Sequence, residues 1–251
     1  LICLFPPLVG FFIPVVILIS NGLYAFEYEP ITMFYKPFLN SLIVSFLCAI
    51  FVILFSFFIV SYSHESKLRS FKILAAISSS GYAFPGTMLA VGVVIFIGFL
   101  DNIINLIDNY IYIIPNNLYF GGTFFALLFA YVVRFQAIGY GSITSGLQRI
   151  PQNLFSASRC LGNNFTETTF KITLPLIVPF LVAGGLLVFV DTMKELPMTI
   201  LLRPFNFETL ATQAYQYAHS ELMAEASIPA LLIIVSGLIP VVLMNKLLRE
   251  I

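Results

Sequence analysis

The stretch from Leu39 to Tyr62 contains no charged residue. Crossing about 30 Å of hydrocarbon takes roughly 20 mostly apolar residues, and a charge at the centre of such a helix costs about 2.5–3.5 kcal/mol on insertion scales. A run this long and this clean reads as a bilayer-spanning helix. Five more stretches share its character, near 1–20, 73–100, 118–138, 174–193 and 226–247. Gly81, Pro85 and Gly86 interrupt the third. That leaves two readings, a kinked span or a short surface helix leading into a span that begins near Phe84. The fourth has Gly121 and Gly122 near its start and Arg134 near its end. The expected fold class is all-α, a polytopic membrane protein of about six transmembrane helices.

Composition removes the main rivals. Apolar residues make up 59% of the 251 and charged residues 10%, with a mean hydropathy of +0.99; soluble domains are about a quarter charged. The net charge is zero, so no basic face invites nucleic acid. Cys3, Cys48 and Cys160 are far apart, without the spacing of a zinc site or redox pair. Cys3 and Cys48 sit in apolar runs and read as small buried side chains. No GxxxxGK[ST] loop, HExxH or GxSxG occurs, so no catalytic residue or metal ligand is nominated and any ATP would bind another polypeptide. His64, in a turn, and His219, in an outer loop, read as solvated. The chain opens at Leu1 within an apolar run and without a charged leader, so it is expected to lack its natural start rather than to carry a signal peptide.

Charge in the connections predicts orientation. With the N-terminus inside, the inner segments carry Lys67, Arg69, Lys72, Arg134, Arg149, Arg159, Lys171, Lys246 and Arg249, and the outer ones only Lys36, Lys194 and Arg203. This nine-to-three split follows the positive-inside rule and puts both termini in the cytoplasm. The acids Glu27, Glu29, Asp101, Asp108, Asp191, Glu195, Glu208, Glu221 and Glu225 fall in outer segments or at their edges, a face that attracts cations.

The longest polar interruption runs from Ala137 to Pro175. Leu147, Ile150, Leu154 and Leu161 fall on one helical face. Pro151 fits a first turn, and Gly162 sits just past the last, where a left-handed residue is needed. Asn164 and Glu167 have the spacing of a cap and its third-position acid for a second short helix ending before Pro175. From physics alone, a surface-lying amphipathic linker without a partner is equally good. The spacing also resembles the EAA loop of ABC-importer permeases, in which Glu-Ala-Ala is followed by three residues, Gly, nine residues and Ile-x-Leu-Pro. Ala157, Gly162, Ile172, Leu174 and Pro175 fall on the motif, while Ser156 replaces its Glu and Ser158 its second Ala.

The resemblance extends to the ferric-iron permease group through Gly81-Tyr82-Ala83-Phe84-Pro85-Gly86-Thr87 and through Asp191-Thr192-Met193-Lys194-Glu195-Leu196-Pro197. It continues through Leu201 to Thr212 and Glu225 to Leu232, covering roughly residues 40–250. It implies a type I ABC-importer permease fold, with a first helix and outer loop over 1–38 and a permease domain over 39–251 that contains a coupling loop at 139–173. Ser156, Ala157, Ser158, Arg159, Gly162, Ile172, Leu174 and Pro175 would dock an ATP-binding subunit that supplies ATP and Mg. The other implied partners are an external solute-binding protein, membrane lipid and a second permease unit, either another copy or the other half of a fused chain. The implied place is the bacterial cytoplasmic (inner) membrane, and the implied cargo is ferric iron, with thiamine, polyamine or phosphonate as alternatives in the same class.

Asp191 and Glu195 stand one helical turn apart at the outer end of the fifth span and would share a face. Their hard carboxylate oxygens could meet iron(III). The plainer reading is that they cap the water edge and pair with Lys194 or Arg203, and it is the favoured one. Gly184-Gly185 reads as a close helix approach. An ion-coupled secondary transporter or channel is disfavoured because no span carries a central ionisable residue, and a membrane enzyme lacks any catalytic constellation.

Overall fold

The computed structural model describes residues 5–26, 30, 32–65, 69–111 and 118–249. Cys3, Glu27, Glu29 and Lys67 lie outside the described residues, as do the side chains of His64, Arg69, Lys72, Asp108, Lys246 and Arg249. Among the described residues every regular element is a helix and there is no strand. We number the helices α1 (Phe5–Ala25), α2 (Thr32–Glu65), α3 (Arg69–Ser78), α4 (Gly86–Ile111), α5 (Phe124–Leu147), α6 (Gln152–Cys160), α7 (Phe165–Met193), α8 (Pro197–Leu202), α9 (Leu210–His219) and α10 (Met223–Arg249). Six of them, α1, α2, α4, α5, α7 and α10, are long and apolar enough to cross a membrane.

The core lies where α2, α5 and α7 pack together. Val44, Cys48 and Val52 of α2 meet Leu127, Ala130, Tyr131 and Phe135 of α5, with Val188 of α7 and Met198 of α8 closing the cluster. Toward the α6 end, Phe57 and Val60 pack with Ile143, Leu147, Ile150 and Ile177. Small residues let these helices approach, as membrane packing requires in the absence of a hydrophobic drive between them. A Cβ on Gly139 would lie 2.5 Å from the Ser56 Oγ, and one on Gly184 would lie 2.8 Å from the Ser142 Cβ. Gly184 thus has the close-packing role its sequence suggested. Gly185 makes only an ordinary contact with Ile53.

Four spans depart from the sequence expectations, the second by starting at Thr32, seven residues before Leu39. The third resolves to the short-helix alternative: α3 ends at Ser78, a 3-10 turn spans Gly81–Ala83, and the membrane-length helix starts at Gly86. The fourth starts six residues late and runs on to Leu147. Its start is set by Thr123, whose hydroxyl caps the Ala126 N–H, and by Asp101, whose carboxylate accepts the Phe120 and Gly121 N–H groups at 2.9 Å each. Asp101 is therefore a buried turn-holder, not part of a cation-attracting outer face. The fifth is longer than expected, and the short helix does not end before Pro175. A π turn over Thr169–Thr173, with Leu174 N bonded to the Thr169 carbonyl, carries the helix through the proline. Proline removes one i→i−4 bond, and the wider turn absorbs the defect.

Candidate functional site

Two regions collect the residues singled out by sequence. The first is the connection between α5 and α7. Leu147 ends α5, Ile150 is buried and Pro151 is the extended N-cap of α6. The four leucine and isoleucine positions therefore do not share one helix face. Leu154 and Leu161 are instead exposed, Leu161 at 82%. The C-terminus of α6 is a Schellman motif: Asn163 N donates to the Ser158 carbonyl at 3.2 Å and Gly162 N to that of Arg159 at 2.9 Å. Gly162 has φ +87 as expected. Asn164 and Glu167 form a reciprocal capping box, with N–H···O distances of 2.8 and 3.0 Å.

The two departures from the loop pattern have different fates. Ser156 is exposed and its hydroxyl turns back to the Gln152 carbonyl at 3.4 Å. Ser158 is 2% exposed. Its hydroxyl meets the Thr168 Oγ1 at 2.8 Å and accepts from the Asn163 Nδ2 at 3.3 Å, which staples α6 to the start of α7. Ala157, Arg159 and Pro175 are exposed, while Ile172 and Leu174 are half-buried, with Leu174 against the inner core cluster. Cys160 is an exposed thiol and Cys48 a buried one.

The second region is a meeting of two helix breaks. Arg134 lies ten residues into α5, about 15 Å along its axis, near the middle of the span. Its Nη1 donates to the Glu195 Oε1 at 2.8 Å, and the two side chains are 18% and 8% exposed. Arg134 therefore leaves the tally of inner charges, and a span does carry a central ionisable residue. Glu195 follows directly on the end of α7, so the end of α7 is tied to the middle of α5. The Glu195 Oε1 also accepts the Met198 N–H at 3.3 Å. Its carbonyl accepts from the Thr199 hydroxyl, which also bonds the Tyr131 hydroxyl. The α3–α4 break arrives at the same place. A Cβ on Gly81 would lie 2.2 Å from the Val133 carbonyl oxygen, and one on Gly86 would lie 1.9 Å from the Arg134 Nη1. The Tyr82 ring sits 6.0 Å from the guanidinium.

Asp191 and Glu195 are thus engaged by different cations, Asp191 by the Lys194 Nζ at 2.9 Å and Glu195 by Arg134. The expected Asp191–Lys194 pairing is present. Arg203 pairs with Glu208 instead. No group of three or more potential metal ligands occurs among the described residues. Sequence reasoning missed Arg134, Tyr82 and Gly86 as site residues. The available signal was an arginine inside an apolar run.

Two cavities flank the break. One of about 700 Å3 between α2, α3, α4 and α5 is walled by Phe55, Phe84, Met88, Phe96 and Phe129 and offers a hydrated ion little. The other, about 710 Å3, lies toward α9 and is lined by Lys36, Arg203, Asn206, Glu208 and Gln213.

No family model matches the chain. It is 27% identical over 165 residues to the Fe(3+)-transport system permease protein FbpB 2 of Haemophilus influenzae, covering 66% of this chain and 29% of that one. It is 29% identical over 132 residues to PhnV of Salmonella paratyphi A, a permease protein assigned to 2-aminoethylphosphonate transport, covering 53% and 49%. With the spermidine/putrescine permease PotC homolog of Mycoplasma genitalium it shares 30% over 105 residues, 41% and 37%. The chain therefore spans less than half the length of each of these relatives. Among solved structures, the MetNI methionine ABC transporter in inward-facing conformations matches with a TM-score of 0.64 at 16% identity, over 88% of this chain and 98% of that chain. A bacterial alginate ABC transporter, in complex with an alginate-bound periplasmic protein, matches with a TM-score of 0.76 at 15% identity, over 99% and 91%. The fold is that of the permease subunits of type I ABC importers.

Proposed function

We propose that this chain, which has the ABC-importer permease fold and resembles ferric-iron permeases in sequence, is a membrane-spanning unit of an importer that moves iron(III) across the bacterial cytoplasmic membrane. The observation that carries the reading is the α6 connection. It is a capped, stapled two-helix unit that exposes Leu154 and Leu161, on a chain without a phosphate-binding loop of its own. An ATP-binding subunit docks there, supplies ATP and Mg, and moves the spans between outward- and inward-open states because its nucleotide states bind the two conformations with different affinity. A second permease unit completes the path, and a solute-binding protein delivers cargo at the α9 end, where Arg203, Asn206 and Glu208 line an open cavity.

Orientation follows from charge. With Arg134 buried in the interior, the basic residues divide eight to three in favour of the segments that the sequence puts inside, which makes the α6 side cytoplasmic together with both termini. Ser156 presents no carboxylate to the ATPase, so docking rests on the apolar positions and on the loop's fixed shape. The substrate follows the relative matched over the longest stretch, the Fe(3+)-transport permease; phosphonate and polyamine are the alternatives. The central Arg134–Glu195 pair removes the argument that disfavoured an ion-coupled carrier, and fold likeness across nearly the whole chain now favours the ABC reading over it.

The test is co-purification with the ATPase and ATP-dependent uptake in proteoliposomes. Replacing Gly162 with valine forces a β-branched residue into a left-handed turn, at about 1–2 kcal/mol of strain. It is expected to lose the ATPase partner while the spans stay folded. Partner-independent iron(III) uptake would overturn the reading.

A further inference from the structure

The apolar cavity between α2, α3, α4 and α5 is an open groove: Ile77, Phe84 and Met88 in its wall are each more than half exposed. Gly92, also in the wall, has nothing within 4 Å of where a Cβ would stand. On helices that cross a bilayer, hydrocarbon or another embedded chain fills such a groove, because an empty one forfeits contacts on every side. Its length decides between them. Along α4 it runs eight residues, from Met88 to Phe96, about 12 Å. That is most of one leaflet, which is half of a hydrocarbon core about 30 Å thick. A spanning helix of a second copy would need the whole depth, and would pack on small residues rather than on Phe55, Phe84, Met88 and Phe96.

Charge points the same way. Ile77 and Ser78, at the end of α3, help to wall the groove. Helix α3 follows the end of α2 that packs beside Leu147 and Ile150, the cytoplasmic end in the proposed orientation. Arg69, Ile73 and Ile77 recur every four residues, and Ile73 and Ile77 are exposed. One stripe of α3 therefore runs from a basic start to the groove. Lys72 adds a second basic residue in the first turn, and α3 contains no acid. A short helix with an exposed apolar stripe and a basic end lies in the interface and draws anionic headgroups. A second copy would bring its own basic inner segments, like charge against like.

Resting on the permease reading for its orientation, we infer that this groove binds one anionic phospholipid of the cytoplasmic leaflet. An acyl chain lies along α4 between Met88 and Phe96, and the phosphate sits at the Arg69–Lys72 end of α3. Ser80, Gly81 and Phe84 of the α3–α4 break share the groove, so the bound lipid braces that break from the bilayer side.

The chain contains no tryptophan, so a single introduced one reports on lipid contact. Met88→Trp protein is reconstituted in vesicles of phosphatidylglycerol and phosphatidylcholine in equal parts, with bromine on the acyl chains of one or the other. Phosphatidylglycerol is expected to quench the Met88→Trp fluorescence with an apparent affinity about fivefold higher, roughly what one basic residue near an anionic surface contributes. Phe84→Trp, a second reporter in the groove, is expected to do the same. Val235→Trp, exposed on α10, is expected to show no preference. Adding Arg69→Gln and Lys72→Gln together should bring the Met88→Trp ratio to one, and Arg69→Lys alone should leave it unchanged. Equal quenching by the two lipids at every position overturns the anionic site. Quenching of Val235→Trp with none at either groove reporter gives the groove to a second copy and overturns the lipid. A preference that survives the double glutamine variant overturns the part given to α3. The readout involves neither ATPase nor cargo. A protein that binds no ATPase but keeps the preference would therefore sink the permease reading and leave the lipid site standing.

Discussion

Arg134 is the residue on which the interior depends. Its guanidinium ties α5 to the end of α7 through Glu195, and the lack of a side chain on Gly86 is what gives it room. Removing one member of a buried pair strands the other charge, at about 3–5 kcal/mol, whereas removing both can be close to neutral. Arg134→Met is therefore expected to lower thermal stability in detergent markedly, and the double variant Arg134→Met/Glu195→Met to regain most of the loss. Additive effects in this cycle would show that the pair carries no coupling. Gly86→Ala is expected to weaken the pair in the same direction, because its Cβ would displace the guanidinium. None of this was legible residue by residue. The sequence shows an arginine in an apolar run, but its partner lies 61 positions on, beyond anything helical periodicity can connect.

At the scale of elements, local signals did better than boundaries. The left-handed Gly162 and the Asn164–Glu167 box stand where cap chemistry puts them, because both are decided within a few residues. The ends of the spans are decided elsewhere: by Asp101 holding the turn before α5, and by a π turn that lets α7 pass Pro175. Hydropathy responds to neither. The α6–α7 corner is where elements meet with least redundancy, held by Ser158 against Thr168 and Asn163. Ser158→Ala removes the hydroxyl without adding bulk and leaves the Thr168 hydroxyl without this partner, a cost of about 1–3 kcal/mol, while Ser158→Val loses the same bond and adds a branched side chain at a position that is 2% exposed. Both are expected to loosen the corner, with faster hydrogen exchange confined to residues around 152–168. Asn164→Ala should cost about 1 kcal/mol through the lost cap and add to the same local signal. Exchange unchanged in all three would show that the corner is held by its apolar contacts instead.

For the whole molecule, the question is how a chain whose two helix breaks meet against the middle of α5 keeps a single shape. One answer is the return of the segment after α8 onto α2. The Leu210 N–H donates to the Ser41 Oγ at 2.8 Å and the Asn40 Nδ2 to the Glu208 carbonyl at 2.9 Å, so the far end of the broken span is fastened to an unbroken one. Glu208 closes this fastening through Arg203 and Thr212. Burial by itself would raise its carboxyl, but hydrogen bonds from Arg203 and Thr212 outweigh burial and hold it below the ordinary value of 4.5. A carboxyl depressed in the folded state contributes stability above its ordinary pKa and loses that contribution as pH falls through the folded value. Acidification from neutrality to below 4.5 is therefore expected to destabilise the wild type more than Glu208→Gln, whose amide cannot titrate. The side chains are about a third and a quarter exposed, so water screens the pair and the difference should be modest. Thermal unfolding in detergent across this pH range measures it, and parallel pH profiles for the two proteins would show that the fastening rests on Ser41 and Asn40 alone.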